Sequence, residues 1–102
     1  MKVRSALPPD TLVVAARDQV SCDLAGEAAI LRLSTGIYYS LDPVGARIWT
    51  LLQRPVTTAA IRDTILREYD VTIERCERDL IDLLDHLADE GLIDVRGDDS
   101  LA

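Results

Sequence analysis

The side chains in this sequence that could do covalent or metal chemistry are two cysteines, Cys22 and Cys76, one histidine, His86, and a run of carboxylates from Glu74 to Glu90. A zinc site needs ligands a few residues apart, in pairs that converge. Cys22 and Cys76 lie far apart with no CxxC spacing, and His86 is ten residues beyond Cys76. That spacing predicts no metal site, and it reads instead as buried structural thiols with a surface histidine. A Cys–His nucleophilic pair would also need a third, orienting group and an oxyanion motif, and neither is visible. The carboxylates include pairs at i, i+3, Asp79 with Asp82 and Asp82 with Asp85. Such pairs could hold a divalent ion, but a charge run on a helix is ordinarily a solvated face. No catalytic residue, metal or cofactor is expected, and the chain does not read as an enzyme.

A binding chemistry stands out more clearly in "LSTGIYYSLDPVGARIW", residues 33 to 49. Side chains alternate along a strand, so Ile37, Tyr39 and Leu41 share one face and Tyr38 and Ser40 the other. One tyrosine must therefore face away from the core in either register. An apolar edge strand with neither charge nor proline invites another strand, because its main-chain N–H and C=O groups lack partners. Either an arm of the chain such as "TLVVA", residues 11 to 15, covers this edge, or it stays open for an extended peptide.

The elements that must position this strand follow from periodicity. From Gln19 the period is two: Val20, Cys22 and Leu24 alternate with Ser21 and Asp23, a turn falls at Ala25-Gly26, and "EAAILRL" returns. "STG" at 34 to 36 connects to "IYYSL", giving a three-stranded antiparallel meander with the tyrosine strand at one edge. The period then becomes helical. Asp42 stands at an N-cap position with Pro43 at the first helical position, predicting a helix over 43–53. Thr57 or Thr58 caps a second helix ending near Tyr69 or Asp70. Thr72 caps a third over 73–90, whose apolar stripe is Ile73, Cys76, Leu80, Leu83, Leu84 and Leu87. Gly91 ends it. "LIDV" at 92 to 95 adds a short strand or packs on the core. Trp49 reads as core. The expected fold class is α+β: a three-stranded antiparallel sheet followed by a three-helix winged-helix-like bundle at residues 11–95. Residues 1–10 read as a flexible lead-in and 96–102 as a disordered tail.

Composition narrows the partners. The chain has 102 residues, enough for one domain, and a formal charge of −7, which repels nucleic acid and anionic lipid alike. A winged helix would place its third helix in a DNA groove, yet that helix carries seven acids against Arg75 and Arg78 alone. Neither nucleic acid nor membrane is an expected partner. No apolar run approaches the roughly 20 residues of a spanning helix. Without a signal segment or paired cysteines, a reduced cytoplasmic setting is expected.

The succession "GEAAILRLSTGIYYSLDPVGARIWTLL", "LREYDV" and "CERDLIDLLDHLADEGLI" resembles the PqqD-like family of peptide-modification chaperones, also called RiPP precursor recognition elements. The resemblance spans residues 11 to 95 and rests on Glu27, Leu31, Thr35-Gly36, Tyr38-Tyr39, Leu41, Gly45, Trp49 and Gly91-Leu92-Ile93. Asp42 stands where many relatives have Asn, which alters only the cap. The resemblance implies a non-catalytic adaptor that binds the leader of a ribosomally made precursor peptide as an added strand, in the cleft between the third strand and the third helix. Carried onto this chain, the dock is Ile37, Tyr38, Tyr39, Ser40 and Leu41 with the helix face around Asp79 to His86. Ile81 and Ala88 flank the core stripe on one side, and Asp79, Asp82 and His86 on the other. The sequence leaves open which flank lines the cleft. The enzyme served would be a leader peptidase, as in lasso-peptide systems, or another modifying enzyme. The rival readings are a winged-helix DNA-binding regulator and a self-associating module, so the chain is expected to be a monomer or a domain-swapped dimer.

Overall fold

The structure, a computed structural model, describes residues 9–96. The expected lead-in and tail therefore lie outside the described residues, apart from Pro9, Asp10 and Arg96. In chain order the elements are β1 (Leu12–Ala15), β2 (Gln19–Leu24), β3 (Glu27–Arg32), β4 (Ile37–Leu41), α1 (Pro43–Leu51), β5 (Val56–Thr57), α2 (Thr58–Glu68), α3 (Ile73–Asp89) and β6 (Ile93–Arg96).

The meander forms as the period-two pattern dictates, with strand order β2-β3-β4 and antiparallel pairing throughout. Its inner face buries Ala28, Ile30 and Leu41 against Ile48, Trp49 and Leu52 of the α1 region and Leu80, Leu84 and Leu87 of α3. Trp49 is core, and its indole N–H donates to Ser21 Oγ at 3.0 Å, which satisfies the one polar atom that its burial would otherwise strand.

A second three-stranded sheet, β5-β1-β6, was not expected as a sheet. "TLVVA" is its centre: β1 pairs with β6 from Leu12↔Arg96 to Ala15↔Ile93, and with the two residues of β5 on its other side. Its four-residue length hid this, since a short apolar run has no decisive period. The consequence for function is direct. The arm that might have covered β4 is committed elsewhere.

All three helices begin at the expected caps. The side chains of Asp42, Thr57 and Thr72 accept from the N–H groups of Gly45, Ala60 and Arg75. α3 ends in a complete Schellman motif: Gly91 takes φ +74, its N–H reaches Ala88 O at 3.1 Å, and the Leu92 N–H reaches Leu87 O at 2.9 Å. Two apolar assignments fail. Ile73, in the first turn of α3, overhangs the core and is exposed. Cys22 is exposed because its parity places it on the outer face of the sheet, whereas Cys76 is buried on α3.

Candidate functional site

The direction of the main-chain groups of β4 follows from the turn at the far end of the meander. Ala25 and Gly26 both have positive φ, 56° and 90°, and form a two-residue hairpin turn. Such a turn closes on a pair that exchanges both hydrogen bonds, here Leu24 with Glu27. Glu27, Ala29 and Leu31 thus point their N–H and C=O groups at β2, and alternation points Ala28, Ile30 and Arg32 at β4. Their partners in the ladder are Leu41, Tyr39 and Ile37. The main-chain groups of Tyr38 and Ser40 are left aimed outward. No described strand pairs with this side of β4.

The C-terminal end of α3 comes up to β4. The Tyr39 hydroxyl donates to Glu90 Oε1 at 2.7 Å, joining strand and helix at the C-terminal end of α3. Beside it the Arg32 guanidinium lies so close to Gly91 that a Cβ there would sit 2.6 Å from it. Helical spacing puts Asp79, Leu83 and His86 on the stripe that ends at Glu90. At its C-terminal end, then, α3 meets β4 through the flank that carries Glu90, on which helical spacing also sets Leu83 and His86. Further along the stripe, Asp79 joins Ile48, Ile65, Val71 and Cys76 around a small cavity of about 70 Å³.

Each expected site residue can now be placed. Leu41 is buried and anchors β4, Tyr39 is half-buried and faces the groove, and Ile37 is exposed on that same face. Tyr38, 71% exposed, and Ser40 stand on the outer face of the sheet. Asp79, Asp82 and His86 are all exposed, and helical spacing sets Asp79 and His86 on the stripe that ends at Glu90. Ile81 is on the opposite flank, where with Pro9, Thr58, Ala59 and Arg62 it lines a depression of about 240 Å³. It does not come together with β4. Periodicity alone sets Glu90 among the solvated acids and Leu83 in the core stripe. Their spacing of seven and four residues from Leu83 and Asp79 was the signal that places them with the site.

The acids of α3 are only partly a bare face. Arg75 and Arg78 both lie within ion-pair distance of Asp79, at 3.6 and 3.9 Å, and Arg62 of α2 holds Glu77 at 3.1 Å. The helix that would enter a DNA groove thus turns its two arginines to a carboxylate of its own. Exposed pairs of this kind add little stability.

The Tyr39–Glu90 bond leaves a titratable signature. Donation to Glu90 holds the Tyr39 phenol above its ordinary pKa, with partial burial and the Glu90 charge adding to the effect and Arg32 opposing it. A pKa raised on folding contributes stability that is present below the unfolded value, about 10 for tyrosine, and is lost as pH rises through the folded value. Glu90→Ala is expected to shift the high-pH tail of the tyrosinate absorbance titration downward. An unchanged tail would mean that the bond does not form in solution.

The family model described as Coenzyme PQQ synthesis protein D (PqqD) matches residues 27–93. A solved structure described as TbiB1 in complex with the TbiA(beta) leader peptide superposes with a TM-score of 0.75 at 40% identity, covering 79% of this chain and 94% of that one. A second, lasso peptide synthetase B1 complexed with the leader peptide, gives a TM-score of 0.71 at 21% identity over 79% of this chain and 95% of that one, a likeness of fold. No curated protein matches the chain.

Proposed function

The chain belongs to the PqqD family, and from that membership and the open edge of β4 we propose that it is a non-catalytic adaptor, which binds the leader of a ribosomally synthesised precursor peptide and presents it to a maturation enzyme. The observation that carries the reading is the outward aim of the Tyr38 and Ser40 main-chain groups beside a helix flank, in a fold shared at 40% identity with a protein solved in complex with a leader peptide. The binding mode is strand addition. An extended leader segment of about five to eight residues pairs with Tyr38 and Ser40, the main chain supplying affinity and the flanking side chains selectivity.

Residues of that strand alternate between two environments. Those facing inward enter the groove between Tyr39 and the α3 stripe of Asp79, Leu83, His86 and Glu90. That stripe carries the carboxylates of Asp79 and Glu90, so a basic leader residue there gains chiefly in association rate. Those facing outward come to lie beside Tyr38. The enzyme served is a leader peptidase or another peptide-modifying enzyme.

Titrating this protein with the labelled leader of its precursor peptide tests the proposal. Saturable one-to-one binding is expected. Absence of binding at about 100 μM, weaker than roughly −5.5 kcal/mol, would contradict it.

A further inference from the structure

The meander has a second edge, β2, and no described strand pairs with its outer side. In the ladder with β3 the bond-exchanging pairs are Leu24 with Glu27, Cys22 with Ala29 and Val20 with Leu31. The main-chain groups of Ser21 and Asp23 therefore aim outward, while the next outward N–H, that of Gln19, is taken by Arg17 O at 2.8 Å. Every residue from Val20 to Leu24 is exposed. The strand has no lysine, proline or bulge, the usual devices that keep an edge from pairing. Along it runs a groove of about 520 Å³ between Ser21 and Asp23 and the α1 residues Ala46, Trp49 and Thr50. That groove has room for the inward side chains of an added strand.

The residues of β2 themselves select which strand fits. In an antiparallel pair outward-aimed residues stand opposite one another, and a second copy of β2 can meet this in three two-fold registers. Asp23 opposite Asp23 sets like charges face to face. Ser21 opposite Ser21 calls on the Gln19 N–H, which is already bonded to Arg17. Ser21 opposite Asp23, with the axis through Cys22, has neither fault, and its four main-chain bonds all have free donors. Ser21 Oγ accepts from Trp49 at 3.0 Å, so the hydrogen it has to offer meets the Asp23 carboxylate of the second copy. On the outer side Val20 lies opposite Leu24, and Cys22 opposite Cys22.

We propose that two copies of this chain pair β2 to β2 in that register, forming one six-stranded antiparallel sheet with a β4 edge open at each end. The proposal goes beyond the leader-binding reading and stands without it. The contact is small. One strand flank about 17 Å long offers roughly 200 Å² per copy, against about 800 Å² for a stable interface. The dimer is therefore weak, with a dissociation constant of about 0.1–1 mM.

Light scattering from about 0.02 to 2 mM protein tests it, in about 0.3 M salt to screen the repulsion between two chains of charge −7. Expected are monomers at the low end and mostly dimers at the high end. Asp23→Pro removes an outward N–H and no ladder bond, and Cys22→Lys sets like charges on the axis; both should stay monomeric, folded by circular dichroism and unchanged in leader affinity. The register has its own readout. Non-hydrogen-bonded partners have Cα atoms about 4.5 Å apart, inside the roughly 4.4–6.8 Å that a disulfide spans. Oxidised glutathione should therefore link Cys22 to Cys22, the two thiols giving up two electrons and two protons as it becomes two reduced molecules. Cys76 is buried and takes no part. Asp23→Pro keeps the cysteine and should cross-link at least about ten-fold more slowly. A wild-type protein still monomeric at the highest concentration, a dimer that survives both substitutions, or cross-linking as fast in Asp23→Pro as in the wild type would overturn the proposal.

Discussion

Ser40→Pro is expected to weaken leader binding by about 100- to 1,000-fold while the protein stays folded. The Ser40 N–H points away from β3, so its removal breaks no bond in the ladder, and an edge strand tolerates proline on its outward side. The loss falls on the complex. One main-chain hydrogen bond is worth about 0.5–1.5 kcal/mol, and a pyrrolidine ring placed against an incoming strand costs on the order of 3 kcal/mol, together two to three powers of ten. Tyr39→Pro makes the contrasting case. That N–H bonds inward to Ile30 in the register, so the change damages the sheet itself. Ser40→Ala, which keeps the N–H, should bind like the parent. Wild-type binding by a folded Ser40→Pro protein would refute strand addition.

Ile30→Ala is expected to be the most damaging single change near the site. Ile30 is fully buried and sits opposite Tyr39, so it fixes β4 to the core at the middle of the proposed dock. Truncating a buried isoleucine costs about 2–5 kcal/mol, against a total of about 5–15 kcal/mol for a domain of this kind. Urea denaturation should show the midpoint fall by about 1–3 M. The same truncation at Val20, on the uncovered face, should cost under about 0.5 kcal/mol. Equal shifts at both positions would mean that the two faces of the sheet are not distinguished as described.

Much of this organisation was legible in the amino-acid order because local and tertiary preferences agree. The alternation in "QVSCDL" and "EAAILR", the positive-φ turn between them and the caps at Asp42, Thr57 and Thr72 each carry their own physical reason, and each recurs in the fold. The second sheet was not legible. β1 and β6 have four residues each and β5 two, and they are paired across almost the whole chain, where no local period can report them. The site divides along the same line. Parity alone set Tyr38 and Tyr39 on opposite faces, but which flank of α3 meets β4 depends on the rotation of a helix packed at long range. A single contact, Tyr39 to Glu90, reports that rotation at the C-terminal end of α3. Helical periodicity admits Ile81 to the dock as readily as Asp79, and the packing of α3 on α2 takes it to the other side.

Amide hydrogen exchange of this protein, resolved by residue with and without leader peptide, tests strand addition most directly. Pairing to the edge of β4 predicts that the Tyr38 and Ser40 amides, exposed in the free protein, slow strongly when the leader binds. Those of Tyr39 and Leu41, already bonded to β3, should change little. Exchange at Tyr38 and Ser40 that stays as fast in the complex as in the free protein, with protection arising elsewhere, would contradict it.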